Sequence, residues 1–149
     1  MRLHVGRRSG TGVAGRRWQL AAVGTAAFCV VGDAAPTPAP VAVSTLMRRD
    51  LADFPGREAL MLTVDYAPGA SSQPHRHDAE VFVYVLEGAV VMQLAGQPRQ
   101  TLGPGETFHE GPADVHVTSA NASAAAPAKI LVVMLKDKGR PVSQPASAP

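Results

Sequence analysis

Between Val41 and Lys138 the chain never sustains a helical period, and its apolar residues come in short runs broken by Gly, Pro, Asn or Asp. That punctuation limits the fold more than any other feature. The runs are Val41 to Met47, Ala59 to Tyr66, Val81 to Leu86, Ala89 to Ala95, Gln100 to Leu102, Thr107 to Glu110, Val115 to Ala120 and Lys129 to Lys136. In the second, Leu60, Leu62, Val64 and Tyr66 alternate with Met61, Thr63 and Asp65, so a period of two sends one set to a core and the other outward. Pro68-Gly69, Glu87-Gly88, Gly96-Gln97-Pro98 and Gly103-Pro104-Gly105 supply the turns. Ala89 to Ala95 is expected to return as the hairpin partner of Val81 to Leu86. That run, V-F-V-Y-V-L, is β-branched or aromatic on both faces, which suits a buried strand with Tyr84 in the core, as Tyr66 is by its own alternation. Short strands at this spacing predict an all-β chain, a small antiparallel β-barrel or jelly roll.

His75 and His77 stand one residue apart just before the V-F-V-Y-V-L run. On an extended strand, side chains at i and i+2 share a face, so two imidazoles can be presented to one point while Arg76 faces away. Paired imidazoles repel when charged and gain most when a cation binds them, which makes the pair a bidentate grip on a metal. A third ligand has to come from elsewhere, and His109 and His116 lie in the same β region.

These residues carry a resemblance. Gly69, His75, His77 and Gly88 fit the first motif of the cupin superfamily, G-x5-H-x-H-x3,4-E-x6-G, without a gap, and Gly105 and His116 fit the second, G-x5-P-x-G-x2-H-x3-N, with Asn121 one residue late. The resemblance covers residues 41 to 138. It implies a small β-barrel with a divalent metal at its mouth, held by His75, His77 and His116, and it ranks His116 above His109. Where the family carries a carboxylate ligand this chain has Val81, and Glu80 stands one residue early. A one-residue slip reverses the face of a strand, so Glu80 joins the metal only if a bulge or the turn at Asp78-Ala79 redirects it. Gly111 and Ala113 replace the Pro and Gly of the second motif, and Pro112 keeps a turn there. Glu110, two residues after Phe108, either faces the pocket as a catalytic base or caps the turn that follows.

Neutral imidazoles with open positions suit Fe, Mn, Ni, Cu or Zn. The expected function is metal-dependent chemistry on a small, partly apolar molecule, dioxygenase-like by resemblance, against a binding module that holds a metal or ligand without turning it over. Fold alone does not separate the two.

The remaining segments bear on location. Five of the 14 Lys+Arg lie in the first 17 residues, and an apolar run from Leu20 to Val31 follows, too short to span a bilayer. Basic, then apolar, then small residues predict a signal peptide over 1 to 34, leading to a periplasmic or secreted protein. Arg16-Arg17 resembles a twin-arginine export signal. Cleavage would leave nine basic residues against eleven acidic ones, no cysteine and no membrane span. With no basic patch, nucleic acid is not an expected partner. A small-molecule ligand is, and a homodimer is compatible with the composition. Residues 35 to 40 read as a Pro-rich linker, 41 to 138 as the barrel and 139 to 149 as a disordered Pro/Ser/Ala tail.

Overall fold

The computed structural model describes residues 40–146. The expected signal peptide, most of the linker and the last three residues lie outside them. The described part is all-β, with ten strands: β1 Val41–Asp50, β2 Arg57–Tyr66, β3 His75–Arg76, β4 Ala79–Glu87, β5 Val90–Leu94, β6 Gln100–Leu102, β7 Thr107–Glu110, β8 Val115–Asn121, β9 Ala128–Asp137 and β10 Gln144–Pro145. They form two antiparallel five-stranded sheets, ordered β1-β2-β9-β4-β7 and β10-β3-β8-β5-β6. This is the expected jelly-roll arrangement. The core lies between the sheets, with Leu60, Leu62, Val81, Val83, Ile130 and Met134 from the first meeting Val90, Met92 and Leu102 from the second.

Two expectations about β4 change. It does not pair with β5: its edges are taken by β7 and β9, while β5 pairs with β6 and β8 in the other sheet. The chain passes between sheets at Gly88, which has φ 69°. A Cβ there would stand 2.5 Å from the Pro127 carbonyl oxygen and 2.9 Å from the Ala128 Cα, so this crossing requires glycine on two counts. Nor is β4 buried on both faces. Val81, Val83 and Val85 point inward, but Phe82, Tyr84 and Leu86 are exposed, Tyr84 at 44%. In a two-layer sandwich each sheet has one outer face, so Tyr84 is a surface residue and only Tyr66 belongs to the core.

The segment expected to be a disordered tail is ordered as far as residue 146. There β10 pairs with β3, and Ala146 N donates to Pro74 O. Gln144 donates to Asp78 and accepts from Arg76, which itself donates to Asp78. Backbone pairing and this three-residue polar knot outweigh the weak strand preference of a Pro/Ser-rich segment.

The inner row of β9 ends in Lys136, fully buried, whose ammonium donates to Glu58 Oε1 at 2.7 Å. Arg48 donates to both oxygens of the same carboxylate, at 2.7 and 2.9 Å. The Lys136 hydrogen bond foremost, with Arg48 behind it, holds the Glu58 carboxyl below its usual range despite burial.

The crossing glycine can be tested against a turn glycine. Gly88→Ala should cost about 3 kcal/mol in urea unfolding, combining strain with a backbone clash. Gly96→Ala, also at positive φ but with nothing within 4 Å of its Cβ position, should cost only about 1 kcal/mol.

Candidate metal centre

Two strand registers build the site. In the second sheet His75 of β3 is paired with His116 of β8, and in the first Val81 of β4 is paired with Glu110 of β7. His77 lies between β3 and β4, where the chain leaves one sheet for the other. The His75 ring centroid is 4.9 Å from that of His77 and 5.2 Å from that of His116. Three imidazoles therefore converge at one end of the core, with Phe108 stacked on His116.

Their nitrogens are not equivalent. His75 Nδ1 is 2.8 Å from Gln73 O, and His77 Nδ1 is 2.5 Å from Val142 O. A carbonyl can only accept, so each Nδ1 carries a proton, and in the neutral ring each Nε2 has the free lone pair that a metal-binding histidine requires. His116 is 2% exposed and neither of its nitrogens has a hydrogen-bond partner. Its Nδ1 lies 3.1 Å from Glu110 Oε2, and His77 Nε2 lies 3.7 Å from the same oxygen. Neither contact is aligned as a hydrogen bond, so Glu110 Oε2 is also unsatisfied. Leaving such atoms buried is expensive, and one cation would engage Glu110 Oε2 together with one nitrogen of His116, whose two ring nitrogens point apart.

Burial, reinforced by repulsion from His77 and His116, pushes His75 below the usual imidazole range and keeps it neutral. Burial pushes the Glu110 carboxyl up, but the nearby His116, with His77 and His75 behind it, more than offsets this and holds it below its usual range.

Among the described residues no group of three His, Cys, Asp or Glu is placed so that it could hold a metal ion as it stands. The donor chemistry nevertheless fits a metal. With metal–nitrogen and metal–oxygen bonds of about 2.0–2.2 Å, neighbouring ligand atoms stand roughly 3–3.5 Å apart, close to the contacts made by Glu110 Oε2.

The other acids and His109 fall elsewhere. Glu80 Oε2 is 2.8 Å from His109 Nε2, and both side chains are about half exposed on the outer face of the first sheet. The β4–β9 register runs unbroken from Ala79 to Val85, so the bulge that Glu80 would need does not occur there, and Val81 takes the inward place. The turn cap open to Glu110 is filled instead by Asp114, which accepts from Gly111 N at 2.7 Å.

A cavity of about 310 Å³ adjoins the histidines. Its wall is mainly apolar, including Val41, Leu62, Met92 and Ile130, with Ser72, Gln73, Ser119 and Ser143 as polar points. Tyr66 donates to or accepts from Ser119 at 2.6 Å beside it. Glu110 does not line the cavity. Val142 and Gln144 were not foreseeable: Val142 acts through a backbone carbonyl, which has no side-chain signature, and Gln144 acts only once β10 has docked.

Two sheets enclosing a histidine cluster beside an apolar cavity define a small β-sandwich of binding or catalytic type. Residues 62–134 match the family description "Cupin domain", and the chain carries a domain of the cupin superfamily. No curated protein sequence matches it closely. Among solved structures it is similar to an oxalate oxidase in complex with the substrate analogue glycolate (25% identity, TM-score 0.56, covering 73% of this chain and 56% of that one). It is also similar to the polyketide cyclase RemF of Streptomyces resistomycificus (25%, 0.56, 72% and 72%). A third is the TT1209 protein of Thermus thermophilus (27%, 0.53, 69% and 90%). The chain spans little more than half the length of the oxalate oxidase.

The nitrogen assignments can be checked without metal. In ¹⁵N spectra of the metal-free protein His75 and His77 should both show the Nδ1–H tautomer. Ending the chain after Lys138 removes the Val142 carbonyl, and should mix the tautomers of His77.

Proposed function

We propose that the chain is a metal-dependent cupin in which His75, His77 and His116 hold one divalent ion from the Fe, Mn, Ni, Cu and Zn group, acting on a small oxygen-bearing molecule in the adjoining cavity. The observation that carries this reading is the pair of Nδ1 anchors, which leaves two Nε2 lone pairs free beside a buried His116 with no partner at either nitrogen. A metal there would supply Lewis-acid polarisation of a ligand oxygen and, with a redox-active ion, electron transfer.

The chain's own residues set the rest. Among the described residues lining the cavity there is no Lys or Arg, so a dianion would have no side-chain counter-charge. Ser72, Gln73 and Ser119 can orient one or two oxygens, and the aliphatic wall excludes water from the rest of the ligand. A monoanionic or enolic compound with an apolar portion suits this better than oxalate. Likeness to an oxalate oxidase and a polyketide cyclase favours an enzyme, with oxidative, dioxygenase-like chemistry ahead of other types. One feature favours the binding module: apart from the histidines and Tyr66, the side chains lining the cavity hold no acid or base. Oxygen uptake or substrate loss with small hydroxy acids and enols distinguishes the two readings.

The purified protein should hold about one divalent ion per chain. His75→Ala or His77→Ala should weaken metal binding by at least roughly tenfold, and His109→Ala should leave it unchanged. Metal analysis and calorimetric titration check this; an effect of His109→Ala equal to that of His116→Ala would count against the ligand set.

Export belongs to the same proposal. The protein recovered from its native cells should begin near Ala35 and lie outside the cytoplasm. An intact mass that includes residues 1–34 would remove it.

A further inference from the structure

Two carboxylates are buried within the sandwich, and their surroundings differ. Glu58 is fully engaged, with Lys136 and Arg48 donating to it. Glu110, 3% exposed, has no hydrogen bond at Oε2, which lies 3.1 Å from His116 Nδ1 and 3.7 Å from His77 Nε2. A buried carboxylate whose near neighbours at that oxygen are imidazole nitrogens in no hydrogen-bonding geometry is a poor source of stability, and a ligand that it serves accounts for it better.

The register says where this carboxylate stands. Val81, at the point on β4 where the first motif would carry a carboxylate, is the residue directly opposite Glu110 on β7. Directly opposed residues on antiparallel strands have Cβ atoms about 4.5–5.5 Å apart, and both side chains here point to the same inner face. A carboxylate from β7 therefore enters the same volume as one from β4.

Resting on the three-histidine reading above, we infer that Glu110 is the fourth protein ligand of the metal: the carboxylate has moved across the β4–β7 ladder from position 81 to position 110. Its Oε2 is the atom shared by the contacts to His77 Nε2 and His116 Nδ1. It reaches the histidines from a side that does not face the cavity, so the cavity-facing positions stay open to a ligand. The same placement argues against Glu110 as a catalytic base, because a base must reach the molecule bound in the cavity. With Glu110 bound, a divalent centre carries a net charge of about +1 rather than +2, which suits a monoanionic ligand.

The experiment is titration of the metal-free protein with Co²⁺, followed by calorimetry and by the visible absorption of the bound ion, for the wild type and Glu110→Gln. The substitution keeps the shape and removes the charge. Glu110→Gln should weaken Co²⁺ binding at least about 100-fold, the upper end of what losing a supporting group does, and should change the Co²⁺ spectrum. The metal-free variant should keep the cooperative melt of the wild type, because glutamine preserves the packing at that place. Unchanged Co²⁺ affinity and spectrum in Glu110→Gln would overturn the inference, while leaving the three-histidine site intact. A drop in affinity accompanied by loss of that cooperative melt would also overturn it, by making Glu110 a structural support. Failure of the wild type to bind Co²⁺ would instead remove the metal reading itself.

Discussion

The candidate site depends on two antiparallel ladders that end at the same depth in different sheets. One sets His75 against His116, and the other sets Val81 against Glu110. His77 sits on the short link between the sheets, and its ring is held by the Val142 carbonyl. A shift of one residue in either ladder would send the corresponding side chain to the outer face. The Glu80–His109 pair illustrates the outcome: each is adjacent in sequence to an inward-facing residue of the site region, yet both lie on the surface.

This arrangement concentrates polar groups where the sandwich would otherwise be apolar. His116 and Glu110 carry the unsatisfied atoms, a local cost of a few kcal/mol in the absence of a ligand. The hydrophobic core between the sheets and the engaged Lys136–Glu58–Arg48 cluster can bear that cost. The two buried carboxylates differ in one respect: Glu58 is neutralised by donors from its own fold, whereas Glu110 has no hydrogen bond at Oε2.

The C-terminal segment extends the site in an unexpected way. By docking as β10 it brings the Val142 carbonyl to His77 Nδ1 and places Val142, Ser143 and Pro145 in the cavity wall. A segment with little strand preference thus orients one of the three histidines. Its hold depends on Arg76 and Asp78, the residues that flank His77.

By itself the sequence determined the strand content, most strand limits, the inward row of β2 and the histidines worth following, because period-two alternation and turn residues are local signals. The strand parity of β4 was equally legible, and it correctly set Val81 inward and left Glu80 needing a bulge. Only the tertiary structure decided which strands share a sheet, since Gly88 marks a turn but not whether the chain folds back or crosses over. It also decided the fate of Glu110, for which facing the pocket and capping the turn were equal in sequence. The pairing of β4 with β7 and the capture of the turn by Asp114 settle that its side chain points to the histidines. Tyr84 and the tail were misread for a related reason. Whether a face is covered, or a weak strand finds an edge to pair with, depends on residues distant in the chain, and burial and cross-strand hydrogen bonds exist only once those have met.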